Sequence, residues 1–447
     1  MTHSTAAPPP RRRVLAPALV LCAVLVLTLC AAASVPPGTI RAYFPLDAGT
    51  MAVGRDGEPV KVFDRADLVP GTRVLAGTSS SLVRADEQRA WLATGRLPAP
   101  AELGSSTMVR DALLDLHLLT ASGAPVAGWA PAWRYVWPRD SALMASALAR
   151  TGHHAEAEQV LSFLQRVQPS SGVFEARYAP DGTPVRDGRR PQTDSLGWVL
   201  WALDDVASQL PVAARRDFLE RYRSLLDSSS RAALALVDHP AALPPPAPDY
   251  WETRERDLTL STAALVAAGL DAAGRLYAVL DDSSRAETLV AAAARTRAAI
   301  HATFAADGYP RTAGGSAAGV DLGVSFLLPP FGPADDDVQR VWRASATAMA
   351  RPAGGLAPGA SWREDGVSWT TATSSHAMTA AFVGDRTEAL RWLRWLDAHR
   401  TGPGSLPEKV LADGRPASVA PLAWPAAAVV IAADRLQESS TSVPGPR

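Results

Sequence analysis

Two glutamates stand in surroundings suited to acid–base chemistry on an oxygen-linked substrate. Asp249-Tyr250-Trp251-Glu252-Thr253-Arg254 follows the proline-rich run Leu243-Pro244-Pro245-Pro246. Gly404-Ser405-Leu406-Pro407-Glu408-Lys409 lies far down the chain in another Gly/Pro-rich loop. Cleaving a glycosidic bond takes a protonated carboxyl that gives its proton to the leaving oxygen, and a carboxylate opposite it. Apolar contact and a neighbouring negative charge keep a carboxyl protonated. Trp251 and Asp249 offer these to Glu252, and Arg254 acts in the other direction. Other chemistries lack their residues. The eight histidines form no His-Glu-x-x-His pattern, and Cys22 and Cys30 share one apolar stretch near the start, so no metal site and no cofactor is expected. No phosphate-binding Gly-x-x-x-x-Gly-Lys-Ser/Thr loop and no Gly-x-Ser-x-Gly elbow occurs.

The elements that must hold these loops are helical. From about Ser106 onward, Ala/Leu-rich stretches with helical periodicity predict twelve helices, over 107–120, 140–151, 153–168, 194–208, 212–236, 258–277, 282–304, 322–328, 336–350, 370–382, 386–399 and 424–436. They fall into pairs, and the second helices recur every fifty to sixty residues or so, a period that suits six helical hairpins closed into a ring. The expected fold is all-α, an (α/α)6 toroid. In such a ring every connection from an odd to the next even helix emerges at one end. Of thirteen tryptophans, Trp129, Trp133, Trp137, Trp251, Trp362 and Trp369 fall in those connections, and Trp424 opens the last helix. Long loops gathered at one mouth of a rigid scaffold are where binding sites are built.

Four regions are expected. Residues 1–34 carry Arg11-Arg12-Arg13 followed by an uncharged stretch over 14–33 that ends in Ala31-Ala32-Ala33, the pattern of an export signal and also about long enough to span a bilayer. A cleaved signal peptide and a retained anchor both fit, and either exports the rest: extracellular, or anchored to the outer face of the cytoplasmic membrane, with membrane contact through residues 14–33 alone. Residues 35–104 read as a short irregular or β-containing lead-in, with strand-like Ile40-Arg41-Ala42-Tyr43-Phe44 and Val60-Lys61-Val62-Phe63. Residues 105–437 form the toroid, and 438–447 a Ser/Pro-rich disordered tail. A balance of 44 basic against 45 acidic residues argues against a nucleic-acid partner.

Several motifs in order along the helical region support a family resemblance. Tyr135-Val136-Trp137-Pro138-Arg139-Asp140 resembles the Trp-x-Arg-Asp motif of glycoside hydrolase family 15, the glucoamylase family. Pro191-Gln192-Thr193-Asp194 is similar to its Pro-Gln-x-Asp element, Trp251-Glu252 to its general-acid motif with Arg254 in the bacterial Trp-Glu-x-Arg form, Ser405-Leu406-Pro407-Glu408 to its general-base motif, and Pro421-Leu422-Ala423-Trp424 to the start of its last helix. Lys409 departs from the Gln that commonly follows the base. The resemblance covers about 105–437. It implies an (α/α)6 barrel and inverting hydrolysis of α-glucosidic bonds from the non-reducing end of an oligosaccharide or glycoconjugate, with Glu252 as general acid and Glu408 as general base. Arg139 and Asp140 would hydrogen-bond sugar hydroxyls, and a buried hydroxyl left unpaired is costly. Trp137, Trp251 and Trp369 would wall the sugar, Arg363 would approach it from the Trp362-Arg363-Glu364-Asp365 segment, and Gln192, Asp194 and Trp424 would support these residues. The short lead-in and the absence of an appended starch-binding module favour small or cell-envelope glucosides. The linkage stays open among α-1,4, α-1,6 and α,α-1,1. The alternative is a toroid that binds or scaffolds glycans without turnover.

Overall fold

The computed structural model describes residues 48–441, which belong to one unit, 46–447. The export segment expected over 14–33, the strand-like Ile40-Arg41-Ala42-Tyr43-Phe44 and the end of the tail lie outside the described residues.

Six inner elements make a closed ring. They are α3 (Pro138–Arg150), α5 (Asp194–Ser208), α8 (Leu260–Val279), a 3₁₀ helix (Leu322–Leu327), α11 (Thr370–Phe382) and α13 (Ala423–Thr441). Each packs on the next, and α13 returns to α3. Outside them lie α2 (Met108–Thr120), α4 (His154–Val167), α7 (Arg223–Val237), α9 (Ser283–Phe304), α10 (Asp336–Ala348) and α12 (Arg386–Ala398). The short α6 (Val212–Arg221) precedes α7, and α1 (Ser79–Thr94) precedes the ring. This is the (α/α)6 toroid.

Side-chain pattern decides which circle a helix joins. All thirteen residues of α3 are buried, and α8 is apolar or small nearly all round, as a helix surrounded by others must be. The outer α10 instead buries one stripe, Val338, Trp342 and Ser345. Close approach of inner helices needs small residues: a Cβ on Gly197 of α5 would sit 2.0 Å from the Leu265 carbonyl oxygen of α8. Helix α8 is, among the described residues, the one helix long and apolar enough to cross a membrane, and 78% of its most apolar window is buried in the protein. It is an inner helix of the ring.

The structure differs from the sequence expectation in three elements. The span 212–236 is two helices, because the chain leaves helical geometry at Tyr222, whose hydroxyl donates to the Glu158 carbonyl at 2.8 Å. The span 322–328 is a 3₁₀ helix rather than an α-helix. Asp321 caps it at Gly323 N, 2.8 Å away, and Pro329-Pro330, which lack backbone donors, stop it. Phe326 and Phe331 fill the space a longer helix would take, edge-on to Trp198 at 5.2 and 5.0 Å. The lead-in holds the antiparallel pair β1 (Thr50–Val53) and β2 (Pro59–Val62), and also the sixteen-residue α1. That helix buries only Ser81, Ala85 and Gln88, so it carries no apolar stripe to read.

The lead-in is also joined to the ring. Arg73, 2% exposed, puts its Nε 2.6 Å from Asp115 Oδ1 and donates to the Pro403 carbonyl and the Ser405 hydroxyl, each at 3.2 Å. Thr50 also hydrogen-bonds Ser405. Residues 48–104 thus brace the loop that leads to Glu408. A small antiparallel sheet finishes that region: β3 (Ser368–Trp369) pairs with β4 (Lys409–Val410), which pairs with β5 (Pro416–Ala417), and Trp369 lies opposite Lys409.

Candidate active site

The segments that lead into five of the six inner elements meet at one cavity of about 320 Å³. Its lining includes Trp133, Trp137, Arg139 and Asp140 at α3, Arg177 and Arg189 ahead of α5, Tyr250, Trp251 and Glu252 ahead of α8, Trp362 and Trp369 ahead of α11, and Glu408 and Trp424 at α13. Of the tryptophans singled out in the sequence, Trp129 is the one outside this lining; Arg134 stacks on it at 4.5 Å.

Pro138 occupies the first turn of α3, where its fixed φ suits a helix start and its missing N–H costs nothing. Arg139 and Asp140 therefore lie at the ring's mouth, 6% and 5% exposed. Arg139 is held from several sides. Its Nη1 donates to Gln192 Oε1 at 2.9 Å, its Nη2 to Glu252 Oε1 at 3.4 Å, its Nε lies 3.6 Å from Asp140, and its guanidinium lies over Trp424 at 5.2 Å. Burial pushes the Asp140 carboxyl up to about 6, with Glu252 and Glu408 adding to the rise and Arg139 opposing it. Asp194, at the start of α5, has no exposed surface, and neither of its oxygens has a hydrogen-bond partner among the described residues. Burial pushes it up to about 7, with Arg139 again opposing.

Glu252 sits on a tight turn. Its backbone N–H donates to the Asp249 carbonyl at 2.8 Å, and its φ is +55°, in the left-handed region where a side chain is strained. The turn is clamped from below by Arg311, which is 4% exposed. Arg311 donates to both Asp249 oxygens at 2.8 and 3.0 Å, to Glu255 at 2.6 Å and to Asp321 at 2.8 Å, and stacks on Trp251 at 3.8 Å. The neighbours that act on Glu252 differ from those its local sequence suggests. Asp249 is engaged by Arg311 and Ser261 instead. Arg254 is exposed and makes no ion pair among the described residues, while Arg139 and Arg189 hold the Glu252 carboxylate, Arg189 at 2.5 Å.

Glu408 is fixed through its backbone. Its N–H donates to the Val419 carbonyl at 2.8 Å, and its own carbonyl accepts from Thr370 N and Oγ1, both at 3.1 Å. The side chain accepts from the Ser418 hydroxyl and lies 3.2 Å from Lys409 Nζ, which in turn lies over Trp369 at 4.4 Å. Trp251, Trp362 and Trp369 form a continuous edge-to-face wall with centroids 4.7 and 5.4 Å apart. Opposed aromatic faces and a few fixed polar groups are what a sugar, apolar on its C–H faces and polar at its rim, requires.

Of the residues singled out in the sequence, Glu252, Glu408, Arg139, Asp140, Trp137, Trp251, Trp369 and Trp424 reach the cavity. Gln192 and Asp194 stand behind Arg139. Arg363 is exposed, lies outside this lining, and is over the Trp362 ring at 5.4 Å. Arg177, Arg189, Arg311 and Ser418 were not singled out. Arg177 stacks on Tyr135 and Trp137 at 4.3 and 5.2 Å and pairs with Asp187 at 2.5 Å, which fixes one aromatic wall. The pair Arg189-Arg190 directly before Pro191-Gln192 was a readable signal for one of these; Arg311, in a Gly-rich loop, had none. No cluster of His, Cys, Asp and Glu able to hold a metal ion occurs among the described residues.

No protein-family profile matches the chain. An isomaltose glucohydrolase of Kribbella flavida is 30% identical over 328 residues, 67% of this chain and 81% of the relative. Among solved structures, a wild-type glycosidase is 26% identical with a TM-score of 0.63, covering 75% of this chain and 97% of that one. A bacterial glucoamylase complexed with acarbose, 18% identical with a TM-score of 0.63 over 81% of this chain and 60% of that one, shares the fold. The toroid, its aromatic cavity and the Kribbella relative together show that the chain belongs to the glucoamylase-like six-hairpin glycoside hydrolases of family 15, which hydrolyse glucosidic bonds.

Proposed function

We propose that the protein removes glucose from the non-reducing end of α-glucosides with inversion, Glu252 acting as general acid and Glu408 as general base. The observation that carries this reading is that the two carboxyls, 156 positions apart by subtraction of their numbers, line one aromatic cavity together with Arg139 and Asp140. Glu408, held by Ser418 and Lys409, is equipped to orient a water and take its proton. Glu252 would give its proton to the leaving oxygen. Arg139 and Asp140 would hold the hydroxyls of the terminal glucose, and Trp137, Trp251 and Trp369 its faces. A volume of about 320 Å³ is near the small end of ligand sites, which favours one sugar ring over a threaded chain. The relative named for isomaltose puts α-1,6-linked glucosides first among candidate substrates. A glycosidase variant at 26% identity was solved in complex with glucose, which supports a site of that size. Export is part of the proposal, supported by Arg11-Arg12-Arg13 and the apolar residues 14–33.

Isomaltose, maltose and trehalose should be assayed for free glucose, with the first-formed anomer followed by fast NMR. The β-anomer is expected; appearance of the α-anomer first would exclude inversion. Glu252→Gln and Glu408→Gln should each lower kcat by about 10²–10⁴-fold, the range for loss of a positioned acid or base, while the protein still folds. Wild-type turnover in either variant would remove that residue from the mechanism.

A further inference from the structure

Glu252 also lines a second cavity, of about 350 Å³. It shares Glu252 and Arg189 with the first and is otherwise different in character. No aromatic ring lines it. Three arginines do, Arg189, Arg190 and Arg254, against the two carboxylates Asp187 and Glu252. Those carboxylates are already engaged: Asp187 by Arg177 and Arg189, Glu252 by Arg139 and Arg189. Arg190 and Arg254 pair with no carboxylate among the described residues and lie exposed at the rim.

Position gives this cavity its meaning, on the reading of Glu252 and Glu408 proposed above. In an inverting displacement water enters from the base and the leaving group departs on the opposite face, beside the acid. The group released must therefore occupy the Glu252 side, where the second cavity opens. A neutral second sugar is best received by an aromatic platform, which this cavity lacks. A planar guanidinium with five donors and no acceptor is suited to a carboxylate or a phosphate. We infer that the leaving-group side of this enzyme receives an anionic aglycone, a carboxylate or a phosphate ester, between Arg189, Arg190 and Arg254.

The same anion would act on the acid. Arg189 donates to Glu252 Oε2 at 2.5 Å. A guanidinium has nothing to accept a proton with, so the oxygen facing it is not the one that carries the proton to the leaving group. An anionic aglycone competes with Glu252 for Arg189 and frees that oxygen. Substrate charge and proton donation are thereby coupled through one side chain.

The test compares three phenyl α-glucosides on the full chain, with para-carboxymethyl, para-phosphonomethyl and para-carbamoylmethyl groups; the methylene keeps the leaving phenols alike. The proposal expects kcat/KM for at least one anion to exceed that for the amide by about tenfold at low salt, and this advantage to shrink at ~0.5 M salt. Whether the carboxylate or the phosphonate leads identifies the anion. Arg190→Ala and Arg254→Ala should each move the anion-to-amide ratio toward one. A wild-type ratio of one or below, or a ratio unchanged in both variants, overturns the anion site. If that happens while isomaltose or the amide glucoside is still hydrolysed, the acid–base reading stands alone; loss of all glucoside turnover would take both down.

Discussion

Glu252, the proposed general acid, has a backbone geometry that its residue type disfavours. A non-glycine residue held at positive φ costs on the order of 1–3 kcal/mol, and such strain persists where surrounding structure over-determines it. Here the surroundings are the Asp249 carbonyl, which accepts the Glu252 N–H, and the arginines on the side chain. Removing the carboxylate while relaxing the backbone should separate the two contributions. Glu252→Gly is expected to be about 1 kcal/mol more stable than Glu252→Ala, because both lose the ion pairs and only Ala keeps the strained φ. Chemical denaturation of the two variants measures the difference, and equal stabilities would mean the turn carries no strain. The arginines matter at this scale too. The charges on Glu252 come from Arg139 and Arg189, which are distant in sequence, whereas its sequence neighbours Asp249 and Arg254 are engaged elsewhere or exposed.

At the scale of elements, the loop that carries Glu252 is a lid on a buried charge cluster. Arg311 joins Asp249, Glu255 and Asp321, three carboxylates from two connecting segments, and its flat face supports Trp251. Tyr250 adds its hydroxyl to Asp321 at 2.7 Å. Removing one member of such a cluster strands the others without a counter-charge in a low-dielectric site. Arg311→Met should therefore lower stability by about 3–5 kcal/mol and, on the proposed roles, lower kcat more than it raises KM, since Glu252 is displaced while Arg139 and Asp140 keep their places in the cavity. Thermal unfolding and steady-state kinetics of the same variant check both parts. A KM-only effect would mean that Arg311 supports binding and does not position Glu252. Glu408 is set by a different device, a three-stranded sheet and a brace from the lead-in through Arg73 and Ser405.

For the whole molecule, ring closure places ionisable groups where water does not reach, and pH dependence follows. Asp194 has its folded pKa raised by burial to about 7, above the ordinary 3.8. Between those values the native protein holds a proton that the unfolded chain has released. Its contribution to stability is thus complete below about pH 4 and is lost as pH rises through about 7. Over that pH range the loss is on the order of 4 kcal/mol. Asp140, pushed up to about 6 mainly by burial, works in the same direction. Asp194→Asn, close in shape and never charged, should gain stability relative to the unmodified protein as pH is raised from 5 to 8. Urea denaturation at the two pH values reads this, and a difference between the proteins that does not change with pH would refute it.

The hairpin count, the inner and outer circles and the gathering of six of the seven tryptophans expected at one mouth were legible in the chain, because helical periodicity and the alternation of short and long connections are local properties. So were most of the acidic and aromatic residues that line the cavity, since they sit in Pro- or Trp-marked loops or at the helix starts that follow them. What the chain alone left hidden was of two kinds. Helix α1 and the short 3₁₀ element depend on packing rather than pattern: one buries too little to show a stripe, and the other stops at Pro329-Pro330 while Phe326 and Phe331 fill the gap. The ion-pair partners of Arg189, Arg311 and Arg73 were hidden because an ion pair joins residues that only the closed ring makes neighbours. Sequence by itself determined which side chains are available for the chemistry; tertiary structure decided which charge faces which, because Coulomb interactions follow distance in space and not separation along the chain.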